Sequence, residues 1–413
     1  MMQTSKLSFR NILYLLFTLL GTSGAAGLAL IFLSLAIVNQ IMGEMPGQDS
    51  LIWAGLSFGF IASCGAPALV LAIRAFFRSN ELRLPPISRA AFLILLLLPF
   101  PAGIAYLAYE QGWLTLALGP IGHILAASLP VLIVAVVVLH SRPRINARKA
   151  LGQFLIGLWA MPPVIFILEM LALLPIGAIL IVFASMTEAG GQILEFFSNP
   201  DTSPQGFETA IESIIFEPWL ILVALGYMAL LVPLIEEAIK TMAIWPWLRT
   251  VTPAQAFVSG ALSGAGYGLF EAFFLVQPGQ EWLLAMVGRA GATIMHAFTA
   301  GISCWGIAQW SANKRPWYTL LAYTVAVGLH GMWNASAILM GLAAYATSIG
   351  ETERILGNAE TASAIGAMII IGLSILTMAG MPWVRQRLNQ SERPANDPVN
   401  VWEERVKQEL QRD

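Results

Sequence analysis

Apolar runs of about 20 residues or more recur along the whole of this chain, and no other feature limits its fold so tightly. As a helix, such a run crosses about 30 Å of hydrocarbon while satisfying its backbone N–H and C=O groups internally. The runs fall at roughly 11–38, 51–77, 90–109, 115–140, 153–185, 218–246, 254–276, 283–310, 317–347 and 362–384. They predict an all-α polytopic membrane helix bundle of about ten transmembrane helices. Composition agrees. Of 413 residues, 57% are apolar and 11% charged, against roughly a quarter charged in ordinary soluble domains.

Loop charge sets the orientation, because Lys and Arg are retained on the cytoplasmic side. Lys6 and Arg10 place the amino terminus inside, and the run that follows is too long for a signal-peptide core, so it reads as a retained first helix. Arg78, Arg83 and Arg89, then Arg142, Arg144, Arg148 and Lys149, then Arg249, then Lys314 and Arg315, then Arg385, Arg387 and Arg393 mark inner loops. The segment 187–217 holds six carboxylates and no Lys or Arg, which places it outside. Ten crossings with both termini cytoplasmic satisfy every alternate loop. A multi-pass protein of a prokaryotic plasma membrane is the expectation. A formal charge of −2 with no basic stripe argues against a nucleic-acid partner. Cys64 and Cys304 lie inside runs and form no metal-type spacing or disulfide framework.

Ionisable groups inside a bilayer are costly, so their placement is informative. The first four runs hold His123 and little else of this kind, and the fifth holds Glu169. The sixth to ninth hold Glu236, Glu237, Lys240, Glu271, Arg289, His296, His330 and Asn334. Glu236 and Lys240, at i and i+4, share a helix face, with Glu237 about 100° round. Two adjacent carboxylates in a low dielectric can divide into a base and a hydrogen-bond donor. The seventh run, Ser263 to Glu271, is glycine-rich and invites close approach by a neighbouring helix. Arg289 and His296 share a face, as do His330 and Asn334, which could donate to a developing oxyanion. At 1.5 Å per residue, Glu236, His296 and His330 fall about 10–20 Å above the inner boundary, while Glu271 computes nearer the outer one.

The order Glu-Glu-x-x-Lys, then an aromatic ahead of Glu271, then Arg-x6-His, then His-x2-Trp-Asn resembles the PrsW family of intramembrane proteases, grouped with the type II CAAX prenyl proteases and the ABI proteins. The resemblance covers about Leu231 to Ser336. Ala272 departs from it, since the family's second-motif Glu is usually followed by Asn. It implies a catalytic membrane core over 216–347, flanked by helices of unassigned role and the acidic outer segment in 1–215, and by a last helix and cytoplasmic tail in 348–413. It implies Glu236, Glu237, Glu271, His296, His330 and Asn334 as catalytic residues, supported by Lys240 and Arg289. Glu236, helped by Glu237, would activate a water, His296 would hold it, and His330 with Asn334 would stabilise the oxyanion. The substrate would be a membrane-anchored protein, such as an anti-sigma factor, met within the lipid bilayer.

Two readings of the cofactor stay open: none, or a divalent metal such as zinc drawn from Glu236, Glu237, Glu271, His296 and His330. Two rival functions stay open as well. Intramembrane Glu, His and Arg with glycine-rich helices also suit a proton- or ion-coupled transporter. A catalytically silent ABI-type scaffold or immunity protein is the other.

Overall fold

The computed structural model describes residues 9–42, 48–77, 99–111, 115–140, 145–199, 214–274, 282–354 and 357–391, with single positions at 91, 93, 97, 209, 211 and 212. The tail beyond 391 and most of 200–213 lie outside the described residues. The architecture is all-α. In chain order the helices are α1 (Phe9–Met42), α2 (Gln48–Phe77), α3 (Pro99–Gln111), α4 (Thr115–Leu139), α5 (Ala147–Leu155), α6 (Met161–Ser185) and α7 (Glu188–Ser198). Then come α8 (Pro218–Leu225), α9 (Val232–Lys240), α10 (Pro253–Phe274), α11 (Trp282–Asn313), α12 (Pro316–Ser348) and α13 (Ala359–Ser391). A π-helical turn, Ile156–Ala160, joins α5 to α6, and a second, Gly226–Leu231, joins α8 to α9.

Among the described residues, eight segments are long and apolar enough to cross a membrane. They correspond to eight of the ten expected runs. Of the other two, α3 covers only part of 90–109, and α10 is too rich in Gly, Ser and Ala to count by hydropathy. That composition has a structural reason, since α10 is the buried centre of the bundle.

Gly260, Gly264 and Gly268 recur every four residues on one side of α10 and face α11. A Cβ at Gly260 would lie 2.3 Å from the carbonyl oxygen of Ala300, and one at Gly264 would lie 2.2 Å from that of His296. Gly266 faces the opposite way, where a Cβ would lie 2.1 Å from the carbonyl oxygen of Phe154. The second neighbour reciprocates, for a Cβ on Gly157 would lie 1.8 Å from the carbonyl oxygen of Ser263. Small residues let α10 touch two helices at backbone distance, the usual device where burial of apolar surface no longer separates helix from lipid. The pairings run in opposite directions, so α10 is antiparallel to both. Outward faces of α1, α6, α12 and α13 expose Leu and Ile, as lipid-facing surfaces do.

Candidate active site

Both π turns sit immediately ahead of prolines. In the second, Val232 N–H bonds back to Tyr227 O, five residues earlier. Continuing that register would require an N–H at position 233 for the carbonyl of Met228, and Pro233 has none. The orphaned carbonyl is satisfied from α12, whose Asn334 donates Nδ2–H to Met228 O at 2.8 Å. One turn away, Gly331 leaves room for Ala229, whose carbonyl oxygen would be 2.2 Å from a Cβ there. Tyr323 adds a third tie, its hydroxyl donating to Leu234 O at 2.6 Å. These contacts fix how α9 is rotated, and therefore where its charged residues point.

They point inward. Glu236, Glu237 and Lys240 are 3%, 0% and 0% exposed. Nζ of Lys240 lies 3.0 Å from Oε2 of Glu236, and it donates to Oε1 of Glu237 at 2.8 Å and to Nδ1 of His296 at 2.7 Å. Oε1 of Glu237 also accepts from Thr299 Oγ1 at 3.1 Å and from His330 Nδ1 at 3.0 Å. Oε2 of Glu236 is different. It is buried, lies 3.9 Å from Nδ1 of both His296 and His330, and has no hydrogen bond of good geometry.

The partners decide the tautomers. An ammonium only donates, so Nδ1 of His296 carries the lone pair and Nε2–H donates to Oε2 of Glu271 at 2.7 Å. Glu271 is steadied by Arg289, whose Nη1 lies 3.5 Å away. A carboxylate only accepts, so His330 donates Nδ1–H to Glu237 and leaves its lone pair on Nε2. The two imidazoles meet edge to face at 4.9 Å between ring centres, and Tyr267 abuts His296 in the same manner at 5.3 Å. Glu169 of α6 is within Coulombic reach of Glu236, Glu271 and Lys240, and its buried Oε1 has no hydrogen-bond partner.

Of the eight residues singled out from sequence, seven therefore form one connected cluster. Asn334 stands apart, its amide donating to Met228 instead of facing the imidazoles. Glu271 and His296, expected at different depths, come level in the bundle. Glu271 lies about 27 Å along α10 from Pro253, and His296 about 26 Å from Asn313 on a helix longer than the bilayer core, so the two meet at one level. Thr299 and Tyr267 were not among the expected site residues. Thr299 follows His296 by three positions and so shares its face, the one signal that could have found it.

One donor atom each of Glu236, His296 and His330 lies within 4.8 Å of the other two, with all three residues buried. Two imidazoles and a carboxylate suit zinc. Each histidine also gives its remaining N–H to a second carboxylate, Glu271 or Glu237, the arrangement that orients metal-ligating imidazoles. The donor set fits a divalent metal.

A polytopic helical bundle with carboxylates and imidazoles gathered at its buried centre has the make-up of an intramembrane hydrolase. Residues 147–350 match the model of the PrsW family intramembrane metalloprotease, and over that segment the chain belongs to the PrsW family. It is a multi-pass membrane protease. The matched segment begins at Ala147, so it takes in α5, α6 and the first π turn as well as the cluster-bearing helices. No curated protein and no solved structure matches the chain.

Proposed function

We propose that this protein is an endopeptidase of a prokaryotic plasma membrane. Its substrate is a membrane-anchored, regulatory protein, cut in or next to the membrane segment by a water that Glu236 activates. The observation that carries this reading is the convergence of Glu236, His296 and His330 at the buried centre, with Oε2 of Glu236 facing both imidazoles. Oε1 of Glu237 accepts from three donors and acts as a fixed acceptor, although its buried Oε2 has no partner. Glu236 is left to take the proton of the attacking water. His296, its tautomer pinned by Glu271, has its lone pair on Nδ1, which accepts from Lys240 in the structure and holds that water when the ammonium moves off it. His330 stands beside Glu236 and, on taking up a proton at the free lone pair of Nε2, becomes the donor that steadies the oxyanion and assists the leaving amine. A divalent metal held by Glu236, His296 and His330 would supply Lewis-acid polarisation of the water and the scissile carbonyl. Asn334 contributes indirectly, by holding the π turn that aims α9.

The test compares wild type with Glu236→Gln in detergent against a panel of single-span membrane proteins. Glutamine keeps the shape and removes the base. New fragments from wild type that vanish in the variant support the reading, and fragments that persist unchanged overturn it. A chelator added to the cleaving sample separates metal-dependent from metal-independent hydrolysis.

A further inference from the structure

The ammonium of Lys240 lies where a shared metal would have to go. Oε2 of Glu236 and Nδ1 of His296 are 3.9 Å apart, so an ion bonded to both, at about 2.0–2.2 Å from each, lies close to their midpoint. Nζ of Lys240 is 3.0 Å from the first atom and 2.7 Å from the second. Those three sides fix a triangle whose median from Nζ is about 2.1 Å long, within the length of a metal–nitrogen bond. A protonated amine has no lone pair to give the ion, and two cations cannot share that distance. The tautomer of His296 closes the other route. Its Nε2–H is committed to Glu271, so Nδ1 is the only lone pair it can offer, and Lys240 is hydrogen-bonded to it.

We propose that Lys240 is the resident cation of this cluster, and that its ammonium and a divalent metal are alternative occupants of one place between Glu236 and His296. The inference rests on the reading of Glu236, His296 and His330 as the reactive centre. In the arrangement described, the ammonium does the metal's electrostatic work for Glu236 and Glu237. Metal enters only when the Lys240 side chain withdraws. Two neighbours can receive it: the ring of Tyr267, whose centre is 5.0 Å from Nζ, and Glu169, whose buried Oε1 lacks a partner.

The experiment titrates Co2+ into the full-length protein in detergent, reading the visible absorption of the bound ion, and measures zinc content after dialysis. Wild type is compared with the double variant Glu237→Gln/Lys240→Met, which removes one charge of each sign and leaves Glu236, His296 and His330 in place. The double variant is expected to bind one Co2+ at least about tenfold more tightly than wild type. Adding His296→Ala is expected to abolish that gain. Equal affinity in wild type and double variant overturns the proposal, whether both bind tightly or neither binds. If the double variant fails to fold, Lys240→Gln takes its place: an unfolding temperature raised by equimolar zinc in Lys240→Gln but not in wild type supports the proposal, and the same response in both overturns it. Cleavage by Glu236→Gln is scored separately. Persistent cleavage there removes the reactive centre itself, whereas equal metal affinity alongside an inactive Glu236→Gln removes only the role given to Lys240.

Discussion

Nε2 of His296 donates to Oε2 of Glu271 across 2.7 Å, joining α11 to α10 at the middle of the bundle. The contact forms because Gly264 and Gly268 let the two helices close to backbone distance, bringing a short carboxylate side chain within reach of an imidazole on the next helix. Its chemical effect is to leave a single lone pair on His296, aimed at Glu236 and Lys240.

Removing that orientation is expected to slow catalysis without unfolding the protein. Glu271→Ala should lower the initial cleavage rate by about 10–100-fold, the usual cost of losing a carboxylate behind a reactive histidine. Arg289→Ala should cost less, since its guanidinium is 3.5 Å from Glu271 and partly exposed. Initial rates at saturating substrate, measured beside thermal unfolding curves, check both.

The Lys240 pairings are expected to dominate stability at the site. Glu237→Ala strips the ammonium of its shortest carboxylate contact and leaves Thr299 and His330 without their shared acceptor. A buried ion pair broken on one side costs about 3–5 kcal/mol. Thermal unfolding in detergent should register a large drop for Glu237→Ala and a much smaller one for Glu237→Gln.

The glycine seam makes a position-specific prediction. Gly264→Ala places a methyl 2.2 Å from the carbonyl oxygen of His296, so α10 and α11 must separate at a cost of about 1–3 kcal/mol. Gly372→Ala meets nothing within 4 Å and should be neutral or mildly stabilising, because alanine is the better helix former. Compared under one condition, the unfolding temperature should fall for Gly264→Ala and hold or rise slightly for Gly372→Ala.

Asn334→Leu tests the bracing of α9. It leaves Met228 O without the donor that Pro233 cannot supply, a loss of about 1–3 kcal/mol. Cleavage should fall although the residue touches neither imidazole. If Asn334 instead met the substrate directly, Asn334→Leu would cut the rate with no change in unfolding temperature.

Much of the fold was legible in the sequence, because length and hydropathy define spanning helices and Lys and Arg punctuate their ends. The cluster was legible too, for ionisable residues in apolar runs have few reasons to be there except one another. The bond from Asn334 to Met228 was not legible, because an i, i+4 spacing from His330 says they share a face and says nothing of what crosses it. The π turn that draws the amide away adds one residue to a helix without any compositional mark, and only Pro233 hints at it. Gly266 was similarly silent. Two positions from Gly264 and Gly268, it faces a different neighbour, and the sequence had named only one.

The π turn ahead of α9 also has a consequence for the phase of the helix. Each residue advances an α-helix by about 100°. Were residues 226–231 wound as ordinary α-helix with none removed, the extra residue that the π turn absorbs would no longer be taken up, and the helix would be more regular. The change would also turn Glu236, Glu237 and Lys240 together through that same angle relative to α8, away from His296 and His330 and towards lipid. Composition, length and hydropathy would hardly change, yet the reactive centre would be gone. The irregularity in the winding is thus what selects which residues of α9 become its chemistry.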